Sequence, residues 1–191
     1  MRLIASIAIL LAILVLAPAM AVLAHSPVFP EENHSPSTAY EISDPDKSWA
    51  IYTGLEHEGV DYYRFMRFSG EKIQIFLIVP ESPSDSDFLP SFALLGPGLI
   101  PDEHIDDHIE VPSGYGSIMV DGSDPGQAVY EPFAPGWFYE VGSLTVSAPE
   151  DGTYYIAVFD SIHDEDAHSH MQRDANYALI VGVRPSQPSG S

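Results

Sequence analysis

From Trp49 onward the chain alternates short apolar runs with clusters of glycine, proline, serine and aspartate. Lys72 to Val79 puts Ile73, Ile75, Leu77 and Val79 on one face, the period-two signature of a strand. Phe76 and Ile78 make the opposite face apolar too, which predicts a strand in the middle of a sandwich. Asp61 to Phe68 is a run of tyrosine, phenylalanine and methionine interrupted by Arg64 and Arg67. With the Ser69-Gly70-Glu71 turn between them, the two runs predict a β-hairpin. Further strands are predicted at 49–53, 91–95, 153–160 and 177–183. Between Gly98 and Ser147 the pattern breaks into shorter pieces: 105–111, 117–120, 128–133, 137–141 and 144–147. No stretch has a helical period, and 17 prolines and 14 glycines argue against one. Many short strands with Gly/Pro turns predict an all-β chain, a jelly-roll-like antiparallel β-sandwich in a single domain.

The N-terminal residues are organised differently. Met1-Arg2 is a minimal positive region, Leu3 to Leu16 is almost continuously apolar, and Pro18 leads into small residues. That order predicts a cleavable signal peptide over 1–24, cut after Ala21 or Ala24, with an uncut anchor as the alternative. Residues 25–48 are polar, proline-rich and aperiodic, and predict an extended arm. The sandwich then occupies 49–184 with an insertion at 98–147, and 185–191 reads as a disordered tail. The 167 residues after Ala24 suffice to bury a core without staples. There is no cysteine. An exported chain without disulfides points to a prokaryote and to a secreted, cell-surface or periplasmic location, without membrane insertion after cleavage.

Three pieces resemble the bacterial pre-peptidase C-terminal domain. They are Val60-Asp61-Tyr62-Tyr63-Arg64-Phe65 running into Gly70-Glu71-Lys72-Ile73-Gln74-Ile75, then Pro90 to Gly98, then Ala148 to Val158 closed by Asn176 to Val181. Together they span roughly half of the chain after the leader, in the family's order. The resemblance implies a small extracellular sandwich acting as an accessory binding or chaperone-like module, and not a catalyst. The chain departs from that pattern by standing alone behind its own leader and by carrying the histidine-bearing insertion.

Charge narrows the partners. Seven Lys/Arg face 28 Asp/Glu, for a net charge of −21, and loss of Arg2 with the leader makes it more negative. Such a surface repels phosphate backbones, which excludes nucleic acid, and suits metal cations and cationic surfaces. Composition alone favours the plainer reading, solubility.

The eight histidines are clustered. His163, His168 and His170 share the segment 161–170 with Asp164, Glu165 and Asp166, and His104 and His108 lie among five carboxylates in 102–110. Imidazole suits copper, zinc and nickel. On a strand, His168 and His170 would project to one side, as would His104, Asp106 and His108. Cleavage after Ala24 would give His25 a free α-amine beside its imidazole. That N,N chelate for copper resembles the arrangement in lytic polysaccharide monooxygenases and periplasmic copper carriers. His34 could join by proximity, and the competing reading of every cluster is a solvated loop. The sequence has no G-x-S-x-G elbow and no H-E-x-x-H helix. The expectation is a non-enzyme, with a copper-dependent oxidative activity as the enzymatic alternative.

The aromatic run Glu131 to Glu140 reads as the closed end of a core, or as rings for stacking on sugars. The leading expectation is therefore an exported acidic sandwich binding a copper or zinc ion through His25 and the His/Asp loop. The alternative is a non-metal surface module that binds cell-surface polysaccharide or an envelope protein. Processing is the first test: intact mass of secreted protein should place the mature start at His25, and a start at Val22 or Met1 removes the amine chelate.

Overall fold

The computed structural model describes residues 26–56, 59–82, 88–102, 105–123, 126–131, 135–160 and 175–182. They form strands β1 (Ser26–Val28), β2 (Tyr40–Glu41), β3 (Trp49–Leu55), β4 (Val60–Arg67), β5 (Lys72–Pro80), β6 (Pro90–Gly96), β7 (Gly116–Val120), β8 (Val129–Glu131), β9 (Gly136–Ser147), β10 (Gly152–Asp160) and β11 (Ala175–Val181). There is no helix among the described residues. One sheet has the order β1-β3-β11-β5-β9-β8 and the other β2-β4-β10-β6-β7, and the two form a jelly-roll-like β-sandwich.

The period-two runs explain the layering. Tyr63 and Phe65 of β4, Ile73, Ile75 and Leu77 of β5, Tyr154, Ile156 and Val158 of β10 and Tyr177 and Leu179 of β11 all enter the cluster between the sheets. Alternate residues of β4, β6 and β10 (Val60, Tyr62, Ala93, Leu95, Ala157, Phe159) form a second cluster on the outer face of the five-stranded sheet. The 105–115 stretch covers that face with Ile105, Ile109, Val111 and Tyr115, which is why β6 is buried at every position. Ile109 alone, buried among these, is worth about 2 kcal/mol. The stretch works as a cover, folded by turns.

The expected hairpin of the 61–68 and 72–79 runs is corrected. β4 pairs with β10 and β2, whereas β5 pairs with β11 and β9 in the other sheet, so their connection arches between sheets. The turn closes on itself, Glu71 N donating to Phe68 O at 3.0 Å, and is also bonded to the β9–β10 connection. Gly70 N donates to Ala148 O, Ala148 N to Glu71 O, and Ser69 N to Asp151 Oδ1. Gly70 takes a φ of 86°, a conformation that side chains resist. The mid-sheet position expected for β5 is observed. The 137–141 and 144–147 pieces are one strand, β9, whose register against β5 shifts at Leu77/Ile78.

Residues of the N-terminal arm are stitched onto both sheets. β1 runs parallel to β3, with Ser26 opposite Trp49, and β2 runs parallel to β4, with Tyr40 opposite Tyr63. Between them Asn33 is buried, its carbonyl accepting from Tyr62 N at 2.6 Å and its Nδ2 donating to Tyr62 O at 3.2 Å.

Gly116 opens β7 where a Cβ would collide with the carbonyl of Leu99, a backbone group that cannot step aside. Gly116→Ala should cost about 2–3 kcal/mol in urea unfolding, whereas Gly126→Ala, with open space around it, should stay within about 0.5 kcal/mol. Equal stability of both variants would contradict the packing of Leu99 on β7.

Candidate functional site

His25, His104, His163, His168 and His170 lie outside the described residues, as does His57. His108 is described and exposed. Its backbone N donates to Asp106 Oδ1 at 2.9 Å, and its Nδ1 lies 2.8 Å from the same oxygen. With Ile109 N donating to Asp106 O at 3.0 Å, 106–109 is a turn that delivers Ile109 to the outer cluster. Asp106 and His108 therefore lie in a turn, not on a strand as expected, while His104 falls outside the described residues. No three His, Asp or Glu side chains among the described residues are arranged to hold a metal ion.

The structure does assemble a polar site at one mouth of the sandwich. Asp61 is in phase with Tyr63 and Phe65 on β4, so its carboxylate points between the sheets and is 2 % exposed. The Tyr177 hydroxyl, from β11 of the facing sheet, donates to Asp61 Oδ2 at 2.7 Å. Its single proton is used there, so at 2.6 Å it accepts from the Tyr63 hydroxyl. His34 of the arm closes the mouth: Nδ1 stands 3.2 Å from Asp61 Oδ1, and the side chain is 50 % exposed. With the proton on Nδ1, Nε2 keeps its lone pair. The chain Tyr63–Tyr177–Asp61–His34 thus runs from the core to solvent.

Burial raises the Asp61 carboxyl above the ordinary aspartate value, against the lowering pull of the Tyr177 hydroxyl and of His34. Burial likewise holds Tyr177 well above the ordinary tyrosine range, helped by Tyr63 and Asp61. Val158 and Val60 flank this site on the β4–β10 ladder, two positions before β10 ends at Asp160, and Tyr177 is two residues into β11. β10 therefore ends, and β11 begins, at this mouth.

A second feature lies at the β8 edge of the six-stranded sheet, level with the start of β11. Phe138 is buried on the outer face of the six-stranded sheet, as the core reading expects, but its neighbour Trp137 is 55 % exposed. Trp137 stands directly opposite Tyr130, 46 % exposed, and their rings meet edge to face with centroids 5.7 Å apart. Glu81 N donates to Trp137 O at 2.7 Å, and Glu81 Oε1 accepts from the Tyr139 hydroxyl at 2.9 Å.

The sequence matches no family model and no curated protein. Solved structures of similar architecture include the periplasmic g-type lysozyme inhibitor PliG of Aeromonas hydrophila (TM-score 0.40, 11 % identity, 83 % of this chain and 100 % of that one). Another is the pre-peptidase C-terminal domain of collagenase from Bacillus anthracis (0.36, 18 %, 78 % and 94 %). A third is CorA, a surface-associated copper-binding protein of Methylomicrobium album BG8 (0.35, 12 %, 83 % and 97 %). No residue role passes from these proteins to this chain.

Asp61 makes stability depend on pH in a defined direction. Its folded pKa lies above the ordinary 3.8, so the folded protein keeps this proton to higher pH than the unfolded chain. The contribution is full below the ordinary value and declines as pH rises through the raised one. The melting temperature of wild type relative to Asp61→Asn should fall from about pH 4 upward and level off above the raised pKa. A rise over that window would mean that pairing with Tyr177 and His34 outweighs burial. Tyr177→Phe removes the donor to a buried carboxylate and should cost about 2–3 kcal/mol at neutral pH.

Proposed function

We propose that this chain is an exported, non-catalytic β-sandwich that carries a transition-metal ion, copper before zinc, at the mouth closed by His34. The observation that carries the reading is the His34–Asp61 pair. A histidine that ligates a metal donates its other ring N–H to a carboxylate, which fixes tautomer and ring orientation. His34 meets that description, with Asp61 anchored in turn by Tyr177. Its Nε2 stands at the end of the sandwich to which His163, His168 and His170 are tethered by Asp160 and Ala175. Three or four imidazoles with interspersed carboxylates suit copper or zinc.

His25 occupies a different position in this reading. It precedes Ser26, which pairs with Trp49, and Trp49 also faces Val181. Ala175 faces Leu55 at the far end of the same ladder, about 20 Å away at strand rise. A brace joining His25 to the 163–170 histidines needs the segment to run back along the whole strand, whereas His34 needs no such span. This reading gives the site to His34 and leaves the amine chelate of His25 to titration of a His25→Ala variant.

Copper and zinc titrations followed by melting temperature test the assignment. Wild type should gain about 2.7 kcal/mol at a hundredfold excess over Kd, less as pH drops through ~6.5, where imidazoles take up protons. The His163/His168/His170→Ala triple variant should lose the response. Asp61→Asn, which releases the His34 ring, should weaken affinity about tenfold or more, and His25→Ala should match wild type. An unchanged response in the triple variant sinks the site, and a loss in His25→Ala would restore the terminal chelate.

A further inference from the structure

The aromatic row at the β8–β9 edge takes no part in the metal site and has a chemistry of its own. Three residues stand on one rung of the six-stranded sheet: Glu81 beside Trp137 through its backbone bond, and Trp137 opposite Tyr130. Their side chains share one face. The ring contact fixes Tyr130 and Trp137 on the same side, the Tyr139–Glu81 hydrogen bond fixes the other two together, and residues 137 and 139 of one strand point the same way. At strand spacing the row is about 10 Å long. Its two rings meet at 70°, leaving an angled corner with the carboxylate at one end.

The charges around the corner have a single sign. Glu81 is the charged member of the row, and neither β8 nor β9 has a lysine or arginine. The one cation of β5, Lys72, pairs with Ser147 at the opposite end of the strand from Glu81. An indole face attracts cations most strongly of the aromatic side chains. A carboxylate has acceptor sites on two oxygens, of which Tyr139 uses one.

We propose that Glu81, Trp137 and Tyr130 form a docking site for an arginine or lysine side chain presented by a basic protein. The cation stacks on the indole, its N–H groups reach Glu81, and the net charge of −21 draws the partner in. This face is then a protein-binding surface built from β5, β8 and β9, with residues other than His34 and Asp61. A neutral glycan would use the rings but would gain nothing from the charge.

The test uses the secreted protein and an acetylated, amidated tetra-arginine peptide as probe, with affinity measured by calorimetry near physiological salt, where exposed charges are screened beyond about 8 Å. Glu81→Gln and Trp137→Ala should each weaken binding by about three- to fivefold. Trp137→Phe should recover most of the loss. Asp107→Asn, an exposed carboxylate outside the row, should bind as wild type does. Far-UV dichroism of each variant should be unchanged, since Trp137 and Glu81 are exposed. Equal weakening by Asp107→Asn would show only a diffuse negative field and overturn the site. An affinity indifferent to Trp137→Ala, or displacement of the peptide by chitotetraose, would overturn it as well.

Discussion

The sandwich is organised around one buried carboxylate. Asp61 sits between the sheets, where an ionised group stays only if its oxygens are satisfied. Tyr177 from the facing sheet supplies one hydrogen bond, and His34 from the arm supplies the other contact. Tyr63 then completes Tyr177. Four side chains from three separate stretches must therefore arrive together, whereas the apolar contacts around them tolerate small shifts. Networks of this kind cost little when complete and much when one member is missing. The interaction fixes which sheet faces which and holds the arm against the mouth.

The arm has further anchors. Arg67, buried at the other end of β4, donates to Asp46 Oδ1 and Pro45 O, and Trp49 Nε1 donates to Asp44 O. Backbone pairing adds β1 on one sheet and β2 on the other. The segment before Trp49 is thus structural as well as a connector, and it carries the histidine that gives the mouth its chemistry.

The strands β3 to β6, β10 and β11 were legible because their apolar runs are short and bounded by turn residues, with strict alternation only in β5. What alternation does not encode is pairing. The Ser69-Gly70 turn suits a hairpin and an arch equally, and the choice was made by bonds to residues 148–151, some eighty positions away. Asp61 was readable in principle: counting back from Phe65 and Tyr63 places it on the apolar face. His34 was visible only as a neighbour of other histidines, since nothing local pairs it with residue 61. In the 131–140 run the core reading holds for Phe138 and fails for Trp137, because one strand shows its two faces to different surroundings. The 105–111 piece has no clear period in the sequence, because its apolar residues Ile105, Ile109 and Val111 cap a sheet face from a turn.

The registers of β1 and β11 also govern how the protein is presented. Ser26 and Val181 both face Trp49, so the chain enters and leaves the described sandwich at the same end. Anything that holds the molecule by either terminus would grip that end. The Asp61 mouth, at the far end of the ladder, would then be the outermost surface, standing off from the attachment like the head of a pin. Lengthening the tether would change how far the mouth reaches without altering what it displays.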